Sequence, residues 1–345
     1  MLPHVHDARA SVGAAVCAAI CAAVAAGLLG RPLAASPAPT RRAAAPQTCD
    51  VVWRDDARQR DVAVRIRMPD GTGPVPLVLF SHGLGGSVAS GTAWGEHWAR
   101  HGIAVIHLQH PGSDERVWKG VPPARRQASL RGAMSADQLV ARARDVSFVL
   151  DAATTRATAG ACDLRRIDRS RIGMSGHSFG AHTTQAVAGQ GFAATGSART
   201  LREPRVRAAV AFSPAPPSRG GEDGLRSAFG PITIPFLSVT GTRDEVPTLT
   251  ETTPSQRTLP YAYMRPGDKY LLVFDGADHA AFGGQPRPLR RREGGSPAES
   301  VAEDVKAATL AFWRATLLDD PTARRWLTGG GLAAALGPGD RYEHK

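Results

Sequence analysis

Gly176-His177-Ser178-Phe179-Gly180 is the pentapeptide that most restricts how this chain can fold. A Gly-x-Ser-x-Gly element belongs where a strand turns sharply into a helix, with the serine hydroxyl standing clear at the carboxyl end of a sheet. The two glycines let such a turn close without a Cβ in the way. The flanks suit it: Arg171-Ile172-Gly173-Met174-Ser175 reads as a strand, and residues 181–190, rich in Ala and Thr, read as a helix. The bare pattern arises by chance in many chains. Its position between strand and helix makes Ser178 the candidate nucleophile.

The rest of the chain supplies a sheet for that turn. Residues 61–68 alternate, with Val62, Val64, Ile66 and Met68 on one face and Arg65 and Arg67 on the other, as in a half-buried strand. Residues 76–80 and 103–108 are continuous apolar runs, the texture of strands covered on both faces of a parallel sheet. Residues 208–212, 235–240 and 270–274 continue the series. Helices are expected over 93–100, where Trp94 and Trp98 share a core-facing side, over 135–150 behind the N-cap Ser135, and over 298–318, stopped by Pro321. Alternating strands and helices predict one α/β domain with a doubly wound, mostly parallel sheet. That domain is expected over residues 49–327, followed by a Gly-rich C-terminal tail over 328–345. The Pro/Gly-rich stretches 214–230 and 283–296 read as long loops.

A serine hydroxyl is a poor nucleophile at neutral pH and needs a base oriented by an acid. Where an elbow of this kind carries the serine, the acid and then the histidine follow it along the chain. Three histidines follow Ser178: His182, His279 and His344. His182 lies one turn along the elbow helix and His344 is penultimate in the tail, whereas His279 follows the strand at 270–274 and is the candidate base. The strand before it, 235–240, runs into Gly241-Thr242-Arg243-Asp244, so Asp244 is the candidate acid, with Glu245 as its competitor. Asp278 reads as a loop cap and Asp275 as a turn residue. The oxyanion of a tetrahedral intermediate needs two donors. The Phe179 N–H, just after the nucleophile, is one. The loop Ser81-His82-Gly83-Leu84-Gly85-Gly86 offers the Leu84 N–H as the other; it lacks the frame of a phosphate-binding loop. His177 is expected to pack beneath the turn, and Trp118 to line the substrate pocket. The two-residue gap between His107 and His110 is only a faint metal signal, and no metal is expected.

The N-terminus points to export. Residues 12–30 carry no charge, follow Arg9 and precede small residues at Ala34-Ala35-Ser36, as in a secretory signal; an uncleaved anchor is the alternative. Residues 1–36 are therefore read as the signal and 37–48 as a disordered Ala/Pro leader. Cys17 and Cys21 lie within the signal, leaving Cys49 and Cys162 as a candidate disulfide or as two separate buried thiols. The formal net charge is +11, yet all but four of the 42 basic residues are Arg and they are scattered. No zinc-finger spacing or aromatic-basic motif accompanies them, which argues against nucleic acid as a partner. The charge is compatible with peripheral contact with anionic membranes.

Leu79-Phe80-Ser81-His82-Gly83-Leu84-Gly85 and the elbow pentapeptide resemble the plasma-type platelet-activating-factor acetylhydrolases. They are also similar to secreted bacterial hydrolases described as predicted dienelactone hydrolases. Residues 56–67, His110-Pro111-Gly112-Ser113-Asp114 with Trp118, and Arg144-Asp145 fit that bacterial branch, and the likeness runs over residues 51–327. The resemblance implies an α/β-hydrolase fold and serine esterase chemistry with no cofactor, on a small-molecule or lipid ester. Dienelactone hydrolases proper use a cysteine where this chain has Ser178. The expected activity is hydrolysis of short-acyl esters, with phospholipid acetyl hydrolysis as the alternative. A non-catalytic binding protein on the same scaffold is the competing class, and it is disfavoured because each triad member has a candidate in order.

Overall fold

The computed structural model describes residues 45–192, 200–217, 220–285 and 301–345. The expected signal, the leader up to residue 44 and most of the expected loop at 283–296 lie outside them. Nine strands form one sheet: β1 (Gln47–Asp55), β2 (Arg60–Met68), β3 (Val75–Ser81), β4 (Ala104–Leu108), β5 (Ile167–His177), β6 (Val206–Phe212), β7 (Phe236–Arg243), β8 (Lys269–Asp278) and β9 (Arg341–His344). Their spatial order is β1-β2-β4-β3-β5-β6-β7-β8-β9. The block from β4 to β8 is parallel throughout. β1 and β2 join it antiparallel on one side and β9 on the other. The molecule is thus α/β with a mostly parallel sheet.

Residue alternation explains why the sheet needs helices on both faces. In β3, Leu77 and Leu79 enter one core, while Val78 and Phe80 enter the other. The first core also holds Val62, Val64 and Ile66 of β2 and is covered by Val146, Val149 and Leu150 of α3 (Ala136–Thr155). The second is covered by Trp94 and Trp98 of α1 (Thr92–Arg100) and by Phe312 and Trp313 of α6 (Val301–Leu317). Each large apolar side chain buried this way contributes about 1.5–3 kcal/mol. Ser135 caps α3 by accepting from the Gln138 N–H at 3.2 Å. Two indole N–H groups of α1 inside this core are paired: Trp98 donates to Thr309 Oγ1 and Trp94 to the Phe282 carbonyl, both at 3.0 Å.

Three expectations need correction. The leader ends earlier than residue 48, because Gln47 and Thr48 already pair with Met68 and Arg67 in β1. The tail at 328–345 is part of the domain: α7 (Gly331–Ala335) leads into β9, where Tyr270 pairs with His344 and the Tyr342 ring lies parallel to that of Tyr270, centroids 6.5 Å apart. Four residues are too few for alternation to register, so this strand is visible only through its partner. The stretch 214–230 contains α5 (Gly221–Phe229), whose glycine-flanked ends mask a short run of Leu225, Ala228 and Phe229 packed against Phe236.

Cys49 of β1 is joined to Cys162 in a disulfide across a sequence separation of 113 residues. It ties the edge of the sheet to the segment entering β5. Replacing both cysteines by serine should lower stability by up to about 5 kcal/mol, the chain-entropy limit for so long a loop, as read from urea denaturation. Alkylation of the oxidised protein should leave both cysteines unlabelled; two labelled thiols would overturn the pairing.

Candidate active site

Backbone proximity builds the elbow. Ser178 sits at φ 58° and ψ −116°, between the end of β5 and the start of α4 (Phe179–Ala188). A non-glycine residue held there costs on the order of 1–3 kcal/mol. The flanking glycines make room for it: a Cβ on Gly180 would overlap the Ser81 carbonyl, and a Cβ on Gly176 would overlap the Gly180 carbonyl. The Ser178 N–H is bonded to the Phe212 carbonyl of β6 at 3.0 Å. Phe179 is the first residue of α4, so its N–H has no partner within the helix.

The candidate acid and base lie past the ends of β7 and β8. Asp244 Oδ1 is 2.6 Å from His279 Nδ1, and Asp244 is fully buried. Thr240 donates to its other oxygen at 2.8 Å. Burial pushes the carboxyl of Asp244 up, but the His279 hydrogen bond, the Arg257 charge and the His279 charge outweigh it and hold Asp244 below the usual carboxylate range. The competitor Glu245 is exposed. Asp278 accepts from the Ala281 N–H as a loop cap, whereas Asp275, expected in a turn, lies within β8 and accepts from Thr242 Oγ1 of β7. The loop carrying His279 is docked on α1: the Gly91 and Ala93 N–H groups donate to the Gly283 and Gly284 carbonyls, each at 3.0 Å.

Ser178 and His279 line one cavity of about 330 Å³ together with Leu84 and Phe179. Among the described residues no hydrogen bond joins Ser178 to His279; such contacts often tighten only around a bound substrate. Met134, Val246 and Leu249 form an apolar part of the wall. The Thr248 carbonyl between the last two accepts from Gln127 at 2.7 Å and from Arg131 at 2.9 Å, both on α2 (Pro123–Ala133). That helix has almost no buried face, which is why apolar spacing does not reveal it.

Two expected placements differ. Trp118 lies behind the cavity wall, where its indole donates to the Gly85 carbonyl at 2.7 Å and so braces the loop. His177 is beside the site: its Nε2–H donates to the His279 carbonyl at 3.0 Å, and the two rings are 4.6 Å apart. Burial, with the His279 charge, lowers the pKa of His177 to about 3. His182 also lines the cavity, lowered to about 4 by burial and by the charges of Arg257 and Arg142.

Sequence reasoning missed two features. Arg257 lies in the polar stretch between the strands that precede Asp244 and His279, where nothing in the spacing marks it, yet it is 3% exposed. Its Nε stands 2.9 Å from Asp244 Oδ1 and donates to the Asp244 carbonyl, while Nη1 donates to the Ser213 carbonyl at 3.0 Å. The second feature is another Ser-His-Asp array, made by Ser81, His110 and Asp145. His110 spans Ser81 Oγ at 2.8 Å and Asp145 Oδ2 at 3.0 Å. All three residues are fully buried and none touches the cavity. Access therefore singles out the Ser178 array. His107 and His110 have separate partners, His107 Nδ1 meeting the Ser90 carbonyl at 2.8 Å. Among the described residues no group of three or more His, Cys, Asp or Glu could hold a metal. No protein-family model matches this sequence, and no curated protein matches it.

Replacing Arg257 by Met should destabilise the protein by about 3–5 kcal/mol at pH 7, because it leaves a buried carboxylate without its cation. The folded pKa of Asp244 is depressed, so its stabilising contribution is present above its unfolded value near 3.9 and is lost as pH falls through the lower folded value. Without Arg257 that folded pKa rises, and protonation then relieves the variant first. The stability gap should therefore narrow as pH is lowered from 7 towards 4, which urea denaturation at several pH values measures; a gap constant with pH would contradict the ion-pair account.

Proposed function

We propose that this protein is an exported serine hydrolase of carboxylic esters, built on the α/β-hydrolase fold and acting through an acyl-enzyme on Ser178. The observation that carries the proposal is the Asp244–His279 contact at 2.6 Å, whose histidine shares a cavity with a serine strained into a Gly-x-Ser-x-Gly turn. With the Nδ1 proton held by Asp244, the His279 Nε2 is left free to accept a proton. Ser178 Oγ attacks the ester carbonyl carbon and its proton passes to Nε2. The N–H groups of Phe179 and Leu84 stabilise the oxyanion. His279 then protonates the departing alcohol, and water activated by the same nitrogen releases the acid and restores Ser178. Asp244, kept ionised by Arg257, stabilises the transient imidazolium.

The cavity volume and its apolar wall at Met134, Val246 and Leu249 favour a short acyl group. Each buried methylene contributes about 0.8 kcal/mol, so a modest rise from acetate to butyrate fits the reading. Export is supported by the Cys49–Cys162 disulfide, a bond suited to an oxidising compartment.

A fluorophosphonate probe should label Ser178 and no residue in Ser178→Ala. Ser178→Ala, Asp244→Asn and His279→Ala should each remain folded with turnover lowered by about three to six orders of magnitude. Full turnover in Asp244→Asn together with none in Glu245→Gln would refute the acid assignment. Across p-nitrophenyl esters, kcat/KM should be highest for acyl groups of about two to six carbons. Palmitate as best substrate, or turnover only at a lipid interface, would overturn the short-acyl reading.

A further inference from the structure

The second buried array has no access to substrate, but it leads directly to the loop that faces Ser178. His82 and Gly83 follow the last residue of β3, and a Cβ built on Gly83 would stand 3.4 Å from Ser178 Cβ. His82 Nε2 lies 3.0 Å from the His110 backbone nitrogen, which can only donate. Nε2 is therefore the unprotonated nitrogen of His82, and the proton sits on Nδ1. Nδ1 is 2.6 Å from the Gly83 carbonyl and donates to it. The Gly86 N–H donates to the same oxygen at 3.0 Å. The Gly83 carbonyl and the Leu84 N–H belong to one planar trans peptide, so they point in opposite directions. Holding the carbonyl against His82 turns the N–H of the cavity-lining Leu84 the other way.

We propose that His82 is a positioning residue which, through its Nδ1–H bond to the Gly83 carbonyl, aims the Leu84 N–H at the oxyanion formed during ester hydrolysis. The inference rests on the esterase reading above and adds a residue to it.

The surroundings suit that task. His82 is fully buried, and desolvation together with the nearby Arg142 and His110 holds its pKa well below the usual histidine value, so it keeps one tautomer at working pH. Arg142 donates to the His82 carbonyl and, at 3.2 Å, to Ser81 Oγ. Ser81 can then pass its own hydrogen to His110 Nε2, and His110 Nδ1–H donates to Asp145. Asp145 is held in turn by Arg58 at 2.8 Å and Arg60 at 2.7 Å. Every hydrogen in this chain has one consistent direction. His110, whose backbone N–H fixes the His82 tautomer, is thereby fixed itself.

Three variants test the proposal in the full-length protein, each checked for folding by thermal denaturation. His82→Asn can place an amide N–H near the position of Nδ1, His82→Gln reaches instead towards the position of Nε2, and His82→Leu does neither. His82→Leu and His82→Gln should lower kcat by about 10²–10³-fold, the loss expected for one oxyanion donor, with KM changed less than about threefold. His82→Asn should stay within about tenfold of wild type. Affinity for a trifluoromethyl ketone, whose adduct carries the oxyanion, should fall in parallel with kcat/KM. If His82→Leu does not fold, the comparison of Asn with Gln decides. Equal kcat in those two, or unchanged ketone affinity in a variant with reduced kcat, would overturn the proposal. Absence of turnover and of fluorophosphonate labelling in the wild-type protein would instead overturn the esterase reading on which it rests.

Discussion

The seating of one backbone on another governs the site. Gly180, on the first turn of α4, lies so close to the Ser81 carbonyl at the end of β3 that no side chain fits between them. Gly176 is pressed against the Gly180 carbonyl on the other flank of the turn. This contact places Ser178 in its strained conformation, aims the start of α4 at the cavity, and sets Ser178 beside the loop that begins at His82. The strain persists because neighbouring strands over-determine the turn: β5 is paired on both sides, with β3 and with β6.

Charge compensation carries the second layer of the architecture. An isolated buried carboxylate would take up a proton instead of staying ionised. Asp244 avoids this through Arg257 and His279, and Asp145 through Arg58, Arg60 and His110. Both acids remain below their usual range despite burial. The buried histidines His82, His110 and His182 are lowered too, since desolvation and nearby guanidinium groups disfavour their charged forms, so they are neutral where the acids are charged. Arg142, lowered to about 9 by burial, still carries its charge at neutral pH and lies 4.5 Å over the Phe179 ring. The result is fixed ionisation in which each hydrogen bond has a defined donor.

Two different supports hold the two sides of the cavity. The His279 loop is anchored on α1, through backbone bonds from Gly91 and Ala93 and through the Trp94 indole on Phe282. The opposite wall depends on α2, which grips the Thr248 carbonyl through Gln127 and Arg131, while Trp118 braces the glycine loop. The first support lies largely within the core. The second uses exposed side chains around one carbonyl oxygen, so it offers more latitude for changing the shape of the apolar wall without disturbing Asp244 and His279.

Local pattern was enough for much of this protein. Apolar runs such as residues 76–80 and 103–108 announced buried strands, because a strand covered on both faces has no polar side to show. The elbow pentapeptide and the strand ends before Asp244 and His279 announced where the side chains of the candidate site would emerge. Partners distant in sequence were hidden. Arg257 looked like any surface arginine until the fold closed it over Asp244, 13 residues away. Ser81, His110 and Asp145 carry no common motif, since their spacing is set by where β3, β4 and α3 meet. The short β9 has no periodicity of its own and exists through pairing with β8. Trp118 and Leu84 flank the same loop, and only packing decided that one braces it from behind while the other faces the cavity. Sequence determined which local conformations and chemical groups were available; tertiary structure decided which buried charges met and which of two Ser-His-Asp arrays opened to a cavity. The reason is physical: backbone preference acts within a few residues, whereas desolvation and charge pairing act across whatever elements the chain brings together.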